Sequence, residues 1–346
     1  MSNPPHAGNN LHSAKGGKPE LKIVPPKDAH GIQRNPIRPL DLDLVDQMRA
    51  NLSAIERRAA TLPKRRTVKK EYQAAWLLKA ITCMDLTTLS GDDTPGRVAR
   101  LCMKARTPLR DDLVQALGIG HLHIKAGAVC VYPTMVEHAV KCLEGSGIPV
   151  ASVATAFPSG LSDMRMRLAD IKSAVEAGAQ EIDIVVTRAH VLTGQWQKLY
   201  EEIAQCREAC GEAHMKTILA TGELGTLRNV ARASMVAMMA GSDFIKTSTG
   251  KEDVNAILPV GIVMTRAIRQ YKELTGYDIG FKPAGGIRTA KQSLDWLILM
   301  REELGRAWQE PNLFRLGASS LLADIERQLE HYVTGRYAAF HHQPLV

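Results

Sequence analysis

Eight short apolar runs rich in β-branched residues recur along this chain, and they set the narrowest limit on its fold. They are ITCMDL (81–86), IKAGAVCVYP (124–133), PVASVATAF (149–157), EIDIVV (181–186), MKTILAT (215–221), DFIKTST (243–249), IGFKPAGG (279–286) and LFRLGASS (313–320). Successive runs begin between 25 and 43 residues apart. Between them lie helical patterns such as SDMRMRLADIKSAVEAG (162–178) and WQKLYEEIAQCREACG (196–211). Strand–helix alternation at this spacing implies parallel strands joined by right-handed crossovers. Eight such units over about 260 residues match a (β/α)8 TIM barrel of the α/β class. An open doubly wound sheet is the alternative, but the dinucleotide glycine fingerprint expected after its first strand is absent.

Outside the repeat the chain changes character. Residues 1–40 are rich in Pro, Gly, Asn and charge and read as a disordered tail. Residues 41–75 read as a helical extension: over 41–61, Leu42, Val45, Met48, Leu52 and Ile55 recur at helical steps. The barrel is expected over 76–335 and a short tail over 336–346.

The charge follows the same division. Residues 1–70 hold 14 Lys+Arg against 6 Asp+Glu, while the remainder holds 30 of each. The basic run LPKRRTVKK (62–70) has no interleaved aromatic residue for base stacking, so it reads as a solvated face. No nucleic-acid partner is expected for the barrel. No apolar run reaches membrane length and the N-terminus lacks a secretory apolar region, so no membrane partner is expected either. Six cysteines without metal-ligand spacing read as reduced thiols of a cytoplasmic protein, and no metal and no cofactor is expected.

In such a barrel, chemistry sits at the C-terminal ends of the strands. Four charges interrupt the apolar runs there: Asp85, Asp183, Lys246 and Lys282. Each is costly among apolar neighbours unless paired or functional. Side chains alternate faces along a strand. Ile182, Ile184 and Val186 would therefore pack under the helices and leave Asp183 pointing inward. Strands six and seven would be neighbours, bringing Lys246 and Lys282 together. Crowding and desolvation then disfavour the protonated amine. At the reference pKa near 10.4 only about one lysine in 2,500 is neutral at pH 7. A shift of about three units makes the neutral amine abundant, and a neutral amine condenses with an aldehyde. Asp183 is the candidate base or proton relay. A plain Lys–Asp salt bridge is the competing reading for each charge taken alone, but one carboxylate cannot neutralise two lysines.

The stretch FIKTSTGK (244–251) ends like a nucleotide-binding P-loop, but Glu252 follows Lys251 and Ile245 stands where the first glycine is needed. A sugar-phosphate grip is the better expectation. AGG (284–286) and GASS (317–320) follow the seventh and eighth runs, whose loops form the common phosphate site of these barrels. Gly250 and Lys251 add a third anchor. Ser319 and Ser320 either cap the last helix or donate to phosphate.

With these residues in place, the chain resembles the deoxyribose-phosphate aldolases. MDLTTLSGDDT, AVCVYP, EIDIVV, TGEL, FIKTSTGK, FKPAGGIR and GASSLL occur in order over about 84 to 322. The long N-terminal segment and the ending after HYVTGRYAAFH resemble the longer, animal-type members. The resemblance implies a class I aldolase that reversibly cleaves 2-deoxy-D-ribose 5-phosphate to glyceraldehyde 3-phosphate and acetaldehyde, in deoxynucleoside catabolism. It implies Lys246 as the Schiff-base lysine, Asp183 as proton donor and acceptor through water, Lys282 as the lysine that tunes Lys246, and Asp85 as a supporting carboxylate. It places substrate and phosphate contacts on Lys216, Thr249, Gly250, Lys251, Gly285, Gly286, Ser319 and Ser320.

Two features depart from the family pattern. Ala220 stands where bacterial members carry an acidic residue before TGEL. The chain also ends in HHQPLV, with Tyr337 the nearest tyrosine and Phe340 beyond it, where some members place a terminal tyrosine. Two other readings stay open: a Schiff-base barrel acting on another sugar phosphate, and a non-catalytic binding or scaffold barrel. A homo-oligomer is compatible with all of them. Removal of residues 1–70 is expected to change turnover little.

Overall fold

The β-branched runs form the wall of a barrel in this computed structural model, which describes residues 34–339. The strands are β1 Met84–Thr87, β2 Ala128–Val131, β3 Val150–Val153, β4 Glu181–Val185, β5 His214–Ile218, β6 Phe244–Lys246, β7 Gly280–Lys282 and β8 Leu316–Ala318. All pair in parallel, each with its neighbours in sequence, and β1 also pairs with β8. The ring closes through bridges from Phe281 to Phe314 and from Ala284 to Gly317. Phe314 lies beside β8 and Gly317 within it, so the barrel is nearly closed, with isolated bridges at the β7–β8 seam where the other seams have ladders.

Alternation along the strands decides which side chains see the helices. Ile182, Ile184 and Val186 join the main core with the surrounding helices, whereas Asp183 and Val185 do not. A separate small apolar cluster of Cys130, Ala151 and Val153 lines the interior beside β2 and β3. Two runs differ from their sequence reading at the edges. Ile81 and Thr82 belong to the helix before β1, because Cys83 caps that helix and the strand begins only at Met84. In the last run only Leu316–Ala318 is strand, since Ser320 already opens the final helix, Ser320–Thr334.

The expected helix over 41–61 is two helices, α1 Leu42–Gln47 and α2 Leu52–Arg65. Periodicity alone missed the break. Asn51 accepts the Ala54 amide at 3.0 Å and starts a new helix, as short polar side chains do at an N-cap. α2 and the following α3, Lys70–Thr82, pack on the barrel's outer layer. Ile55 and Leu62 of α2 are almost wholly buried, each stabilising the fold by about 1.5–3 kcal/mol. The basic run spans the end of this helix, the link after it and the start of α3: Lys64 and Arg65 sit in the last turn of α2, where the dipole favours cations, Arg66 pairs with Glu302 at 2.7 Å, and Lys70 opens α3.

Residues 34–40, read from sequence as part of the tail of residues 1–40, lie against the base of the barrel. Asn35 is 1% exposed. Its amide donates to Asp243 at 2.8 Å, its side chain donates to Met238 and Ser242 carbonyls, and it accepts the Tyr271 hydroxyl at 3.0 Å. The rest of that tail, residues 1–33, and the HHQPLV ending with Phe340 fall outside the described residues. Tyr337 stacks on His331 of the last helix, with ring centroids 4.1 Å apart. Among the described residues no helix is long and apolar enough to cross a membrane.

Candidate active site

Strand register gathers the charges. Lys246 of β6 is the register partner of Lys282 on β7, and Asp183 of β4 is the partner of Lys216 on β5. Partners on neighbouring parallel strands point to the same side, so all four side chains enter the barrel together. Asp183 sits at the centre. One of its oxygens accepts from Lys246 at 2.7 Å and from Lys282 at 2.8 Å, and the other accepts from Lys216 at 2.9 Å. Asp85 of β1 takes Lys282 at 2.6 Å. All five of these residues are 3% exposed or less.

Two further charges complete the cluster from below. Glu181 contacts Lys216 at 2.5 Å. Arg315 donates to Asp85 at 2.7 Å and to both oxygens of Glu181, at 2.7 and 3.1 Å. The cluster therefore holds four cationic side chains, Lys216, Lys246, Lys282 and Arg315, against three carboxylates, Asp85, Glu181 and Asp183. The sequence reading of two lysines on one carboxylate was too small: Asp85 and Lys216, expected at the site on separate grounds, join the same network, and Glu181 and Arg315 complete it.

The lysines are not equivalent. Burial is the largest influence on each and disfavours its charge. For Lys282, Asp183 and Asp85 outweigh burial and raise its basicity; for Lys216, Asp183 and Glu181 do the same. Lys246 has a single carboxylate partner. Burial lowers its basicity, Asp183 only partly offsets that, and Lys282 lowers it again, so the net direction is down. Burial alone would raise the Asp183 carboxyl, but Lys216, Lys246 and Lys282 together hold it well below the ordinary range. The arrangement thus supplies one lysine poised to lose its proton, beside an ionised carboxylate able to take and return protons.

The wall opposite the lysines is apolar. Leu89, Tyr132 and Phe157 pack on the Cys130, Ala151 and Val153 cluster, with Tyr132 and Phe157 edge to face at 5.9 Å. A cavity of about 460 Å³ elsewhere, lined by Arg106, Leu109, Val114, His123 and Ile148, includes none of these residues.

The glycine loops meet above the lysines. A Cβ on Gly250 would stand 3.9 Å from the Gly285 Cα, so the loops after β6 and β7 are adjacent. Gly285 and Gly286 have φ of +81° and +80°, which suits glycine. A Cβ on Gly317 would meet the Ala284 Cβ at 2.7 Å and the Lys282 Cε at 3.3 Å, so only glycine lets β8 pass there. Ser319 precedes the final helix but makes no capping hydrogen bond, which leaves its exposed hydroxyl open to a ligand. The third expected anchor is different. Glu252 accepts from the Thr249 amide at 3.0 Å, the Thr249 hydroxyl at 2.8 Å and the Gly250 amide at 3.1 Å. Those donors already hold a carboxylate, so at this corner it is the exposed Lys251 side chain that remains available to an anion.

The comparisons with known proteins fit this geometry. The sequence model of the DeoC/LacD family aldolases matches residues 79–324. The chain is similar to the deoxyribose-phosphate aldolase of Homo sapiens, 62% identical over 308 residues that cover 88% of this chain and 97% of that one. The Mus musculus protein of the same name is equally similar, over the same shares. The chain belongs to the DeoC/LacD aldolase family. Its fold also resembles a tetrameric deoxyribose phosphate aldolase structure from Aeropyrum pernix, with TM-score 0.53 and 20% identity over 76% of this chain and 98% of that one.

In this family member the sequence reading left out Glu181 and Arg315. Both interrupt apolar runs, as Asp183 and Lys282 do, but at the N-terminal ends, away from the strand ends where barrel chemistry is expected. Glu181 also stands two residues before Asp183 and so shares its face. Glu252, which in sequence only breaks the nucleotide motif, ties the loop after β6. Ser248, on the face of Lys246, has a buried hydroxyl with no hydrogen-bond partner in the protein. Ala220, the departure before TGEL, is buried and left-handed with φ +54°.

Proposed function

We propose that this member of the aldolase family reversibly cleaves 2-deoxy-D-ribose 5-phosphate to glyceraldehyde 3-phosphate and acetaldehyde through a Schiff base on Lys246, as a step in deoxynucleoside catabolism. The observation that carries the reading is the position of Lys246: buried, 2.7 Å from Asp183, and the one lysine of the cluster with a single carboxylate partner.

The neutral Lys246 amine attacks C1 of the open-chain sugar, and loss of water gives a protonated imine. A base takes the proton from the C3 hydroxyl. The C2–C3 bond breaks, its electron pair moves toward the iminium nitrogen to leave an enamine, and glyceraldehyde 3-phosphate departs. Protonation of the enamine at C2 and hydrolysis of the imine release acetaldehyde and restore Lys246. Asp183 is the proton carrier in this scheme, Lys282 holds it ionised and lowers the basicity of Lys246, and Asp85 holds Lys282. Lys216 is the third donor on Asp183. The apolar wall of Cys130, Ala151 and Val153 suits a two-carbon fragment with a methyl end.

The phosphate is placed against Gly285, Gly286, Ser319 and Ser320, with Lys251 reaching in from β6. Thr249 and Gly250 shape that loop through Glu252. The working unit comprises the barrel of residues 76–335 and the helical extension of 41–75. A homo-oligomer and a cytoplasmic location belong to the same reading, the latter supported by six free cysteines, five of them buried.

The decisive experiment adds borohydride to the protein with acetaldehyde and maps the adduct by peptide mass, alongside turnover of 2-deoxyribose 5-phosphate by wild type and Lys246→Ala. The expected result is an adduct on Lys246 and a loss of about a thousandfold or more in the variant. An adduct on another lysine, or near-normal turnover by the variant, overturns the assignment.

A further inference from the structure

The charged interior extends well below the reacting amine, to the N-terminal base of the barrel. Glu181 is the first residue of β4 and Arg315 precedes β8. Both are at most 4% exposed, yet both line a base cavity of about 280 Å³ together with Thr82, Gly127, Pro311 and Asn312. Neither is in contact with Lys246. Arg315 is linked to it through Asp85, Lys282 and Asp183, Glu181 through Lys216 and Asp183, and the two paths join where Arg315 pairs with Glu181.

We propose that Arg315 and Glu181 are positioning residues for the lysine chemistry: together they fix the charge count of the barrel interior so that Lys246 is the amine that gives up its proton. The inference rests on the Schiff-base reading above. With four cations and three carboxylates, one positive charge is unmatched. Arg315 keeps its proton under all working conditions. Lys282 is held by two carboxylates and Lys216 by Glu181 and Asp183, with Asp85 at 4.0 Å. Lys246 has Asp183 alone. Release of its proton balances the cluster at three against three.

Two buried thiols near the cluster do not add to that count. Cys130 of β2 lies near the lysines, and burial pushes its thiol up, so it stays neutral. Cys83, near Arg315, is pushed up to about 12 by burial. His214 shares the face of Lys216 one layer below it, and His123 and Lys125 border the base cavity.

A scaffold role and a charge-setting role give different pH profiles. The test measures kcat/KM for 2-deoxyribose 5-phosphate against pH in Glu181→Gln, Arg315→Gln, Arg315→Lys and the double glutamine variant, with folding checked by thermal melting. Glu181→Gln leaves four cations on two carboxylates, so the acid limb of the profile shifts to lower pH, by about one unit. Arg315→Gln leaves three on three, so every lysine can keep its proton and the limb shifts to higher pH by a similar amount. The double variant restores one unmatched charge and returns the limb to its wild-type position. Arg315→Lys keeps the charge and leaves the limb in place, even where the lost fork lowers the melting temperature.

Single variants that move the limb in the same direction, or not at all, overturn the proposal, and so does a double variant that fails to restore it. Should the glutamine variants not fold, the wild type decides. Borohydride trapping with acetaldehyde from pH 6 to 9 must modify Lys246 and leave Lys216 and Lys282 untouched; adducts on either of those show that the unmatched charge is shared. If Lys246 is trapped normally but the limbs stay put, only this inference fails. If Lys246 is not trapped at all, the Schiff-base reading fails with it.

Discussion

Lys246 and Lys282 are register partners on β6 and β7, and both donate to a single oxygen of Asp183, at 2.7 and 2.8 Å. Two ammonium groups sharing one acceptor in a dry interior repel each other. The second carboxylate, Asp85, sits on Lys282 and not on Lys246. That asymmetry separates two chemically identical side chains into a held cation and a labile one.

Asp183→Asn separates condensation from proton transfer. It removes the charge that favours the Lys246 cation, so borohydride trapping with acetaldehyde persists. Turnover of 2-deoxyribose 5-phosphate falls by about a hundredfold to ten-thousandfold, the range of a lost general acid–base. Trapping and turnover lost in equal measure would show that Asp183 acts on the condensation itself.

Lys282→Met removes the cation that lowers the basicity of Lys246. The folded value for Lys246 rises, a smaller share is neutral at a given pH, and the acid limb of kcat/KM moves to higher pH. The shift is expected to be about one unit or more and is read from a pH–rate profile. An unmoved limb would mean that Lys282 contributes only to packing.

Acid stability follows from the carboxylates. Asp85, Glu181 and Asp183 are all held below their ordinary values, because lysines and Arg315 outweigh the cost of burial. As pH falls through about 4, the unfolded chain takes up protons that the folded cluster refuses. Their contribution is therefore complete above that range and is lost toward lower pH. Urea midpoints are expected to be level from pH 7 to 5 and to drop steeply below 4; a flat midpoint down to pH 3 would contradict the burial of these ion pairs.

Ser319→Ala and Ser320→Ala test the phosphate end. Ser319 makes no cap, so its loss should leave the melting temperature unchanged and raise KM for 2-deoxyribose 5-phosphate several-fold, as for a lost hydrogen bond to a charged group. Cleavage of unphosphorylated deoxyribose should be unaffected. Equal effects on both substrates would move the phosphate elsewhere.

Asn35→Ala tests the segment beneath the barrel. It deprives the Tyr271 hydroxyl and two carbonyls of buried partners and should cost about 1–3 kcal/mol in denaturant unfolding. Turnover per folded molecule should stay unchanged, since Asn35 touches none of the charged cluster. Truncation of residues 1–70, expected from sequence to be mild, would also strip Ile55 and Leu62 from the core.

The barrel was legible from local pattern, since eight β-branched runs at regular spacing leave few ways to bury their apolar faces. That pattern also determined which charges enter that barrel from β1, β4, β6 and β7, because side chains alternate along a strand: Asp183 between Ile182 and Ile184 can point only inward. The split of the first helix was legible too, had Asn51 been read as a cap. The balance of the site was a different matter. Glu181 lies 134 residues from Arg315 in the chain and 2.7 Å from it in space. Asp85 of β1 meets Arg315 beside β8, from the far end of the chain, and Lys216 finds two carboxylates at once. Local patterns fix the direction in which a side chain points, but how many charges share one buried interior depends on every strand that closes around it, which no short stretch of sequence records.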